Sequence, residues 1–423
     1  MKKILSIIIA LGFVAMLAVP AFASDSRVTA LAGAGKYLED DYNIFDWPAT
    51  LPSYSNTVWM SVHNAYWDDM DWSWSHYSDF NNYFTMIGAS YAFGEDGHYG
   101  TLAMFFQNFT PGLNKYHYYQ DVYADILWNK YTLMYGYSMD KVSLGIYISR
   151  ADTYDKEVTP GATEEDKSAY TTIGASARFD VVDKAYADVA FDVSFASYQD
   201  ENDPTYGDIT DDDNLKYGVR ARMFYEYNET VTFIPYVGYS AYDFSLKADS
   251  TDYTDTHWGD KCWAFDIGIG ANIKVNEDNM LLFAVEPFSY MKGEPSAAPD
   301  SVVDEFTYTV IPRFYLALES DVKDWLTFRV GGMKELGKWD EKSGGTSTEY
   351  KDVNTWGGFQ YFMGLGFHVG DFDIDCVINN ELPYHMGYWL TGYGWGGDDG
   401  YYGSSVDHVE NAPAYMVTGT YHF

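Results

Sequence analysis

The sequence is short of cysteine, of basic residues and of long apolar runs, and each shortage removes a class of protein. Its two cysteines, Cys262 and Cys376, are too few for a disulfide framework. Lys and Arg number 26 against 62 Asp and Glu, a formal charge of −36. A chain this acidic repels phosphate backbones, which excludes nucleic acid as a partner. Past residue 24 no window approaches about 18 consecutive uncharged apolar residues, so no membrane-spanning helix is expected there. No G-x-S-x-G, H-E-x-x-H or P-loop pattern occurs, and the nine histidines are scattered. The reading is therefore not an enzyme, with no cofactor and no metal site. No Pro/Gly/Ser-rich linker or shift in composition divides the chain, and one uninterrupted domain is the simplest organisation.

What is present begins with a leader. Lys2 and Lys3 precede an apolar run from Ile4 to Val19, then Pro20 and Ala21-Phe22-Ala23. That order reads as a secretory signal over 1–23 with an A-x-A cleavage site. Its removal takes two lysines and no acids, leaving 24 basic residues against 62 acidic ones and a formal charge of −38. With 40 Tyr, 26 Phe, 13 Trp and 37 Gly, the remainder has the composition of strands and turns.

From residue 57 onward the pattern has a period of two. Ala185, Ala187, Val189, Phe191, Val193 and Phe195 alternate with Tyr186, Asp188, Ala190, Asp192, Ser194 and Ala196. Side chains along a strand point to opposite faces, so each such segment has one apolar and one polar wall. Sixteen segments repeat this between 57–66 and 411–423, with short links such as Met139-Asp140-Lys141 and Asn228-Glu229-Thr230 interleaved with long ones. A soluble sandwich or propeller also alternates, but a single core cannot serve sixteen apolar walls. Tyrosine and phenylalanine near segment ends (Tyr66, Tyr83, Phe93, Tyr198, Tyr227, Tyr239, Phe306, Tyr415, Tyr421) read as an aromatic girdle. The expected fold is all-β: a transmembrane antiparallel barrel over 57–423 of about sixteen strands, fourteen being the alternative, with short periplasmic turns and long outer loops. The same alternation places Cys262 inside and Cys376 outside, both unpaired.

The last segment carries Pro413, Tyr415, Val417, Gly419, Tyr421 and Phe423 on one face and stops at Phe423. This resembles the C-terminal signature of bacterial outer-membrane barrels, and the resemblance implies that Tyr421 and Phe423 are read by the barrel-insertion machinery. Residues 24–56 lack the alternation and read as a plug or lead-in. Their Gly33-Ala34-Gly35, acidic Asp40-Asp41, Asn43 and Pro48-Ala49 are similar to the N-terminal hatch of the long-chain fatty-acid transporter family of outer-membrane barrels. The resemblance covers about a tenth of the chain, and implies uptake of hydrophobic compounds and fourteen strands. The chain departs from the family pattern at Trp47, where asparagine usually precedes the Pro-Ala step.

Charges on the polar wall are the candidate site. Arg178, Lys216, Arg220, Arg222, Arg313 and Arg329 are aimed at the lumen, with Asp188, Asp192, Asp266, Glu286, Asp373 and Asp375. A Lys or Arg facing lipid at the midplane costs about 2–4 kcal/mol, so these groups belong inside. They serve either as a charged constriction that sorts solutes or as neutralising pairs within the wall. Trp67, Trp72 and Trp74 in one long loop, and Trp389, Tyr393 and Trp395 in another, are candidate selectivity aromatics. Asp200 to Asp213 holds seven acids and reads as a solvated outer loop. The leading expectation is a passive outer-membrane channel for small solutes with mild cation preference. The alternatives are a transporter of hydrophobic compounds with an N-terminal hatch, or a structural barrel with acidic binding loops. The expected partners are outer-membrane lipid, the insertion machinery and small solutes.

Overall fold

The computed structural model describes residues 25–63, 85–94, 97–111, 126–159, 162–203, 207–249, 257–296, 305–345, 348–378 and 414–423. The signal segment lies outside these residues, as do both aromatic loops with Trp67, Trp72, Trp74, Trp389, Tyr393 and Trp395. The alternating segments form strands β1 (Thr57–His63), β2 (Thr85–Ala92), β3 (Thr101–Pro111), β4 (Ile126–Met139), β5 (Val142–Thr159) and β6 (Ala162–Val182). They continue as β7 (Ala185–Asp203), β8 (Gly207–Asn228), β9 (Val231–Asp249), β10 (His257–Asn276), β11 (Asn279–Ser296) and β12 (Glu305–Lys323). The series ends with β13 (Leu326–Gly345), β14 (Thr348–Trp356), β15 (Phe359–Val369), β16 (Phe372–Ile378) and β17 (Ala414–His422).

Each strand pairs antiparallel with its neighbours, and β1 pairs with both β2 and β17, which closes the sheet. β14 and β15 lie end to end along β13, which pairs with β15 through Leu326–Lys334 and with β14 through Gly337–Gly345. The seventeen segments therefore make sixteen staves, with Gly357 and Gly358 at the interruption. At the level of β15 the described strands close without an edge, as a hydrocarbon surrounding requires, while β14, further out, pairs with β13 alone among the described residues.

Outward positions are apolar through the middle of the wall: Leu144, Ile146 and Ile148 on β5, Val189, Phe191 and Phe195 on β7, and Ile267 and Ile269 on β10 are all exposed. No helix among the described residues is long and apolar enough to cross a membrane. The chain is thus a bacterial outer-membrane β-barrel, and its short turns mark the periplasmic end.

Two expectations change in the structure. Strands outrun the membrane: β6 has 21 residues and β8 has 22, against the roughly 9–11 needed to cross. The stretch Asp200–Asp213 is accordingly not a loop for most of its length, since β7 runs to Asp203 and β8 starts at Gly207. A hairpin ladder pairs backbone groups whatever the side chains are, so it continues past the point where the apolar wall stops. The aromatic girdle also loses members: Tyr198 and Phe306 face inward and are buried. Phe93 and Tyr227 are exposed near the turns, whereas Tyr66, Tyr83 and the side chain of Tyr415 fall outside the described residues. Cys262 is buried, Cys376 is half-buried, and both are free thiols.

Candidate functional site: the plugged lumen

Residues 25–56 contain no strand. They form helix α1 (Asp25–Ala30) and three 3-10 turns, Gly35–Tyr37, Asp41–Phe45 and Pro48–Tyr54. Asp40 starts the second turn by accepting the Tyr42 amide at 2.9 Å, and Pro48 opens the third with its preset backbone angle.

This segment touches the wall almost all the way round. The Ser26 amide donates to Thr418 Oγ1 on β17 at 3.3 Å. Asn272 Nδ2 on β10 donates to the Tyr37 carbonyl at 3.0 Å, and the Ala49 amide donates to Ser176 Oγ on β6 at 2.6 Å. Backbone meets backbone where glycine leaves room: a Cβ on Gly145 of β5 would lie 2.1 Å from the Pro48 carbonyl carbon, and one on Gly331 of β13 would lie 2.6 Å from the Ala32 nitrogen. Ile44 and Leu51 pack with Trp59, Met86, Ala103, Phe105 and Met134 of β1–β4. On the other side Leu31, Tyr37, Leu38 and Trp47 pack with Phe224, Ile234, Tyr236, Leu282 and Tyr315 of β8–β12. About thirty residues can reach strands from β1 to β17 only from inside the barrel.

The charges divide by wall sector. On β6–β8, Arg178 holds Asp188 at 2.7 Å and the plug's Glu39 at 2.7 Å. Arg222 holds Asp188 at 2.9 Å and donates to the plug carbonyls of Gly35 and Leu38 at 3.2 and 2.9 Å. Arg220 binds Asp192 at 2.8 Å and Asp46 of the plug at 3.2 Å. Trp47 lies under both guanidinium groups, 4.7 Å from Arg222 and 5.7 Å from Arg220 to its ring centre, a cation–π arrangement. On β10–β16 the acids dominate. Lys36 of the plug bridges Asp266 at 2.7 Å and Glu286 at 3.1 Å, and the Tyr37 hydroxyl donates to Glu286 at 3.0 Å. Arg313 joins Glu286 at 2.9 Å to Glu335 at 2.7 Å. Arg27 of the plug reaches Glu319 and Asp40, both at 2.7 Å, and Arg329 completes the chain through Glu319 and Asp375.

The lumen wall is thus polarised by sector, and the plug is polarised to match. Lys36 and Arg27 face the acid-rich sector, while Glu39 and Asp46 face the arginine-rich one. Ten of the twelve wall charges singled out from sequence lie in this belt. Lys216 sits on the inward face of β8 beyond Arg220, further from the periplasmic turn. Asp373 lies at the periplasmic rim between His368 at 2.6 Å and His422 at 3.2 Å. Sequence reasoning missed Glu319 and Glu335, although each shares the inward parity of an arginine on its own strand. It also missed Arg27, Lys36, Glu39, Asp40 and Asp46, which lie where no period reports direction. Of the insertion-signal residues, Tyr421 packs on Phe372 with ring centres 5.1 Å apart, and the Phe423 amide donates to the Asn56 carbonyl at 3.0 Å. Among the described residues no group of three or more His, Cys, Asp or Glu is placed to hold a metal ion.

Further from the periplasmic turns the inward face changes character. Cys262, Ala264, Met291, Phe306, Tyr308, Val310 and Trp339 form a buried apolar cluster with Tyr242 against it. Phe306 stacks on Trp339 with ring centres 4.9 Å apart, and Tyr242 stacks on Phe244 at 5.2 Å. The lumen therefore has a charged, plugged tier towards the periplasm and an aromatic tier towards the outside.

No protein-family model matches the sequence, and no curated protein does. Among solved structures, the chain is similar to the toluene transporter TodX of Pseudomonas putida at 10% identity, over 81% of this chain and 88% of that one, with a TM-score of 0.37. The monoaromatic hydrocarbon channel CymD matches at 9% identity, over 83% and 90%, with a TM-score of 0.38. The alcaligin outer-membrane receptor FauA of Bordetella pertussis matches at 7%, over 76% and 67%, with a TM-score of 0.40. At that level of superposition these likenesses carry no argument about function, which has to rest on the chain's own side chains.

Proposed function

We propose that the protein is an outer-membrane transporter whose resting lumen is closed by its N-terminal segment, and that it admits apolar or aromatic solutes from the outside. The observation that carries the reading is the belt of buried contacts tying residues 26–52 to strands all round the wall. The arginines that would line an ion-selective constriction are already engaged by acids and by plug carbonyls, with Glu39 and Asp46 of the plug staying about half exposed. The aromatic tier supports an apolar cargo, since ring faces gain from burying apolar surface. In this reading transport requires the plug to shift away from those contacts.

Planar-bilayer recording of the purified protein tests this. The expected result is a silent baseline in wild type and steady large-pore current after deletion of residues 25–54. Steady open-pore current in wild type would overturn the proposal. It would favour a second reading, a passive small-solute pore with mild cation preference, which draws its support from the acidic excess of 62 to 26.

A further inference from the structure

The arginines of β8 hold a part of the plug that has the chemistry of a small molecule. Arg220 donates from Nε and Nη2 to the Asp46 carbonyl at 3.2 and 2.9 Å, and Nη2 also reaches Asp46 Oδ1 at 3.2 Å. The next residue lays its indole under the same guanidinium group. Trp47 is 1% exposed, with its ring centre 5.7 Å from Arg220 and 4.7 Å from Arg222. A carboxylate and an aromatic plane are thus presented side by side to one pair of cations.

The wall that receives them is prepared for both. Phe224 lies 4.8 Å from the Arg222 guanidinium, and Tyr186 stacks on Phe224 with ring centres 4.9 Å apart. Trp47 shares its buried cluster with Phe224, Ile234 and Tyr236. Asp192 holds Arg220 at 2.8 Å and Asp188 holds Arg222 at 2.9 Å, so neither guanidinium depends on the plug for its place. Arg222 Nη2 is buried without a hydrogen-bond partner among the described residues, a donor left over in a side chain that is 0% exposed. The Asp46 carboxylate is about half exposed, so another carboxylate can compete with it in water.

We propose that Asp46 and Trp47 stand in for the cargo, and that Arg220, Arg222 and Phe224 form the binding site of a planar aromatic carboxylate. The inference rests on the transport reading, in which the plug shifts, and names the solute class within it. Withdrawal of the plug takes from Arg220 the carbonyl and carboxylate of Asp46, and from Arg222 the carbonyls of Gly35, Lys36 and Leu38. Buried donors stripped of their acceptors are costly. A solute that brings a carboxylate for the guanidinium fork and a ring for its face makes up that loss. It therefore binds the displaced arrangement and not the closed one, and a ligand with that preference draws the plug out of place. A hydrocarbon ring lacks the first contact, and an aliphatic acid lacks the second.

Equilibrium dialysis of the full-length protein in detergent against benzoate or cyclohexanecarboxylate tests the site. The two acids share charge and ring size, and only benzoate has an aromatic face. Asp46→Ala with Trp47→Gly vacates the site, and this variant is expected to bind benzoate about tenfold more tightly than cyclohexanecarboxylate and about tenfold more tightly than wild type does. Adding Arg220→Gln is expected to abolish the preference, while adding Arg150→Gln, on the outer face, keeps it. Unchanged heat-dependent gel mobility will show that the variants are folded barrels. Equal binding of the two acids, or a preference that survives Arg220→Gln, would overturn the site. In a planar bilayer, benzoate added on the outer side is expected to give current bursts in wild type where cyclohexanecarboxylate gives none. Binding by the vacated variant without bursts in wild type would overturn the solute's role in moving the plug. Steady wild-type current without benzoate would instead count against the transport reading and leave the binding result standing.

Discussion

The two faces of one wall carry ion pairs of opposite character. Six of the chain's seven arginines, Arg27, Arg178, Arg220, Arg222, Arg313 and Arg329, lie in the belt between wall and plug, and only Arg150 is on the outer face. The outer pairs otherwise use lysine: Lys156, Lys167, Lys261, Lys292, Lys338 and Lys342. Inside, the wall carboxylates are desolvated, though Glu39 and Asp46 of the plug are about half exposed, and a planar, weakly hydrated guanidinium can serve carboxylate and carbonyl at once. Outside, water competes for every donor, and a flexible ammonium suffices. Burial decides what each pair is worth: breaking a buried pair strands a charge, whereas an exposed pair contributes little.

The comparison breaks most decisively at Arg313. It bridges Glu286 and Glu335, whose side chains are 0% and 4% exposed. Arg313→Ala leaves two buried carboxylates with one fewer cation, and Lys36 as the remaining cation beside Glu286. The expected cost is about 3–5 kcal/mol, seen as earlier urea unfolding of the refolded barrel. Because Lys36 belongs to the plug, the same variant is expected to show current bursts in a bilayer where wild type is silent. Unfolding within about 1 kcal/mol of wild type would mean the belt is solvated and the contrast with the outer face is false.

How much of this was legible in sequence follows from periodicity. The wall was readable because a period of two tells lipid from lumen, and Arg220 and Arg222 opposite Asp188 and Asp192 could be placed from parity alone. The strand ends were not, since Asp200–Asp213 has no apolar wall to count by and its pairing continues through backbone bonds. Nearness to strand ends reads Tyr198 and Phe306 as girdle residues, although their parity points inward. The plug resisted most. Its turns are set by single contacts such as Asp40 to Tyr42 and by wall partners more than two hundred residues away, such as Asp266 for Lys36. The Gly-Ala-Gly and Pro-Ala resemblance located the segment but implied fourteen strands where there are sixteen staves. Trp47, the position that departs from that resemblance, is the ring under Arg220 and Arg222.

A middle-sized effect is expected where plug and wall meet backbone to backbone. A methyl group on Gly145 would overlap the Pro48 carbonyl, with the nearest atoms at 2.1 and 2.2 Å, and backbone cannot rotate away as a side chain can. Gly145→Ala is expected to cost about 1–3 kcal/mol through overpacking. The strain is relieved if residues 48–54 withdraw from β4–β6, so the variant should favour plug displacement without removing a charge. Faster protease cleavage within residues 46–54 in detergent-solubilised protein is the measurement. Cleavage at the wild-type rate would place the plug's freedom of movement elsewhere, in the charged belt alone.

The smallest effect belongs to the outer face, and there it shows in proton affinity rather than stability. Glu165 accepts from Lys156 at 3.0 Å and is bound by Lys167, above the membrane at the far end of β5 and β6. Hydrogen bonds from Lys167, then Lys156, hold its carboxyl down at about 2. A depressed carboxylate contributes in full above its ordinary value of about 4.3, and that contribution fades as pH falls through the depressed one. The pair is therefore formed throughout the neutral range. With Lys156→Gln and Lys167→Gln together, Glu165 is expected to titrate near about 4.3, while the unfolding midpoint stays where it was. Carbon-13 titration of Glu165 in nanodiscs reads the first quantity and urea unfolding the second. A wild-type titration near 4 would show that water separates these outer pairs. A fall in unfolding midpoint matching that of Arg313→Ala would erase the distinction between the two faces.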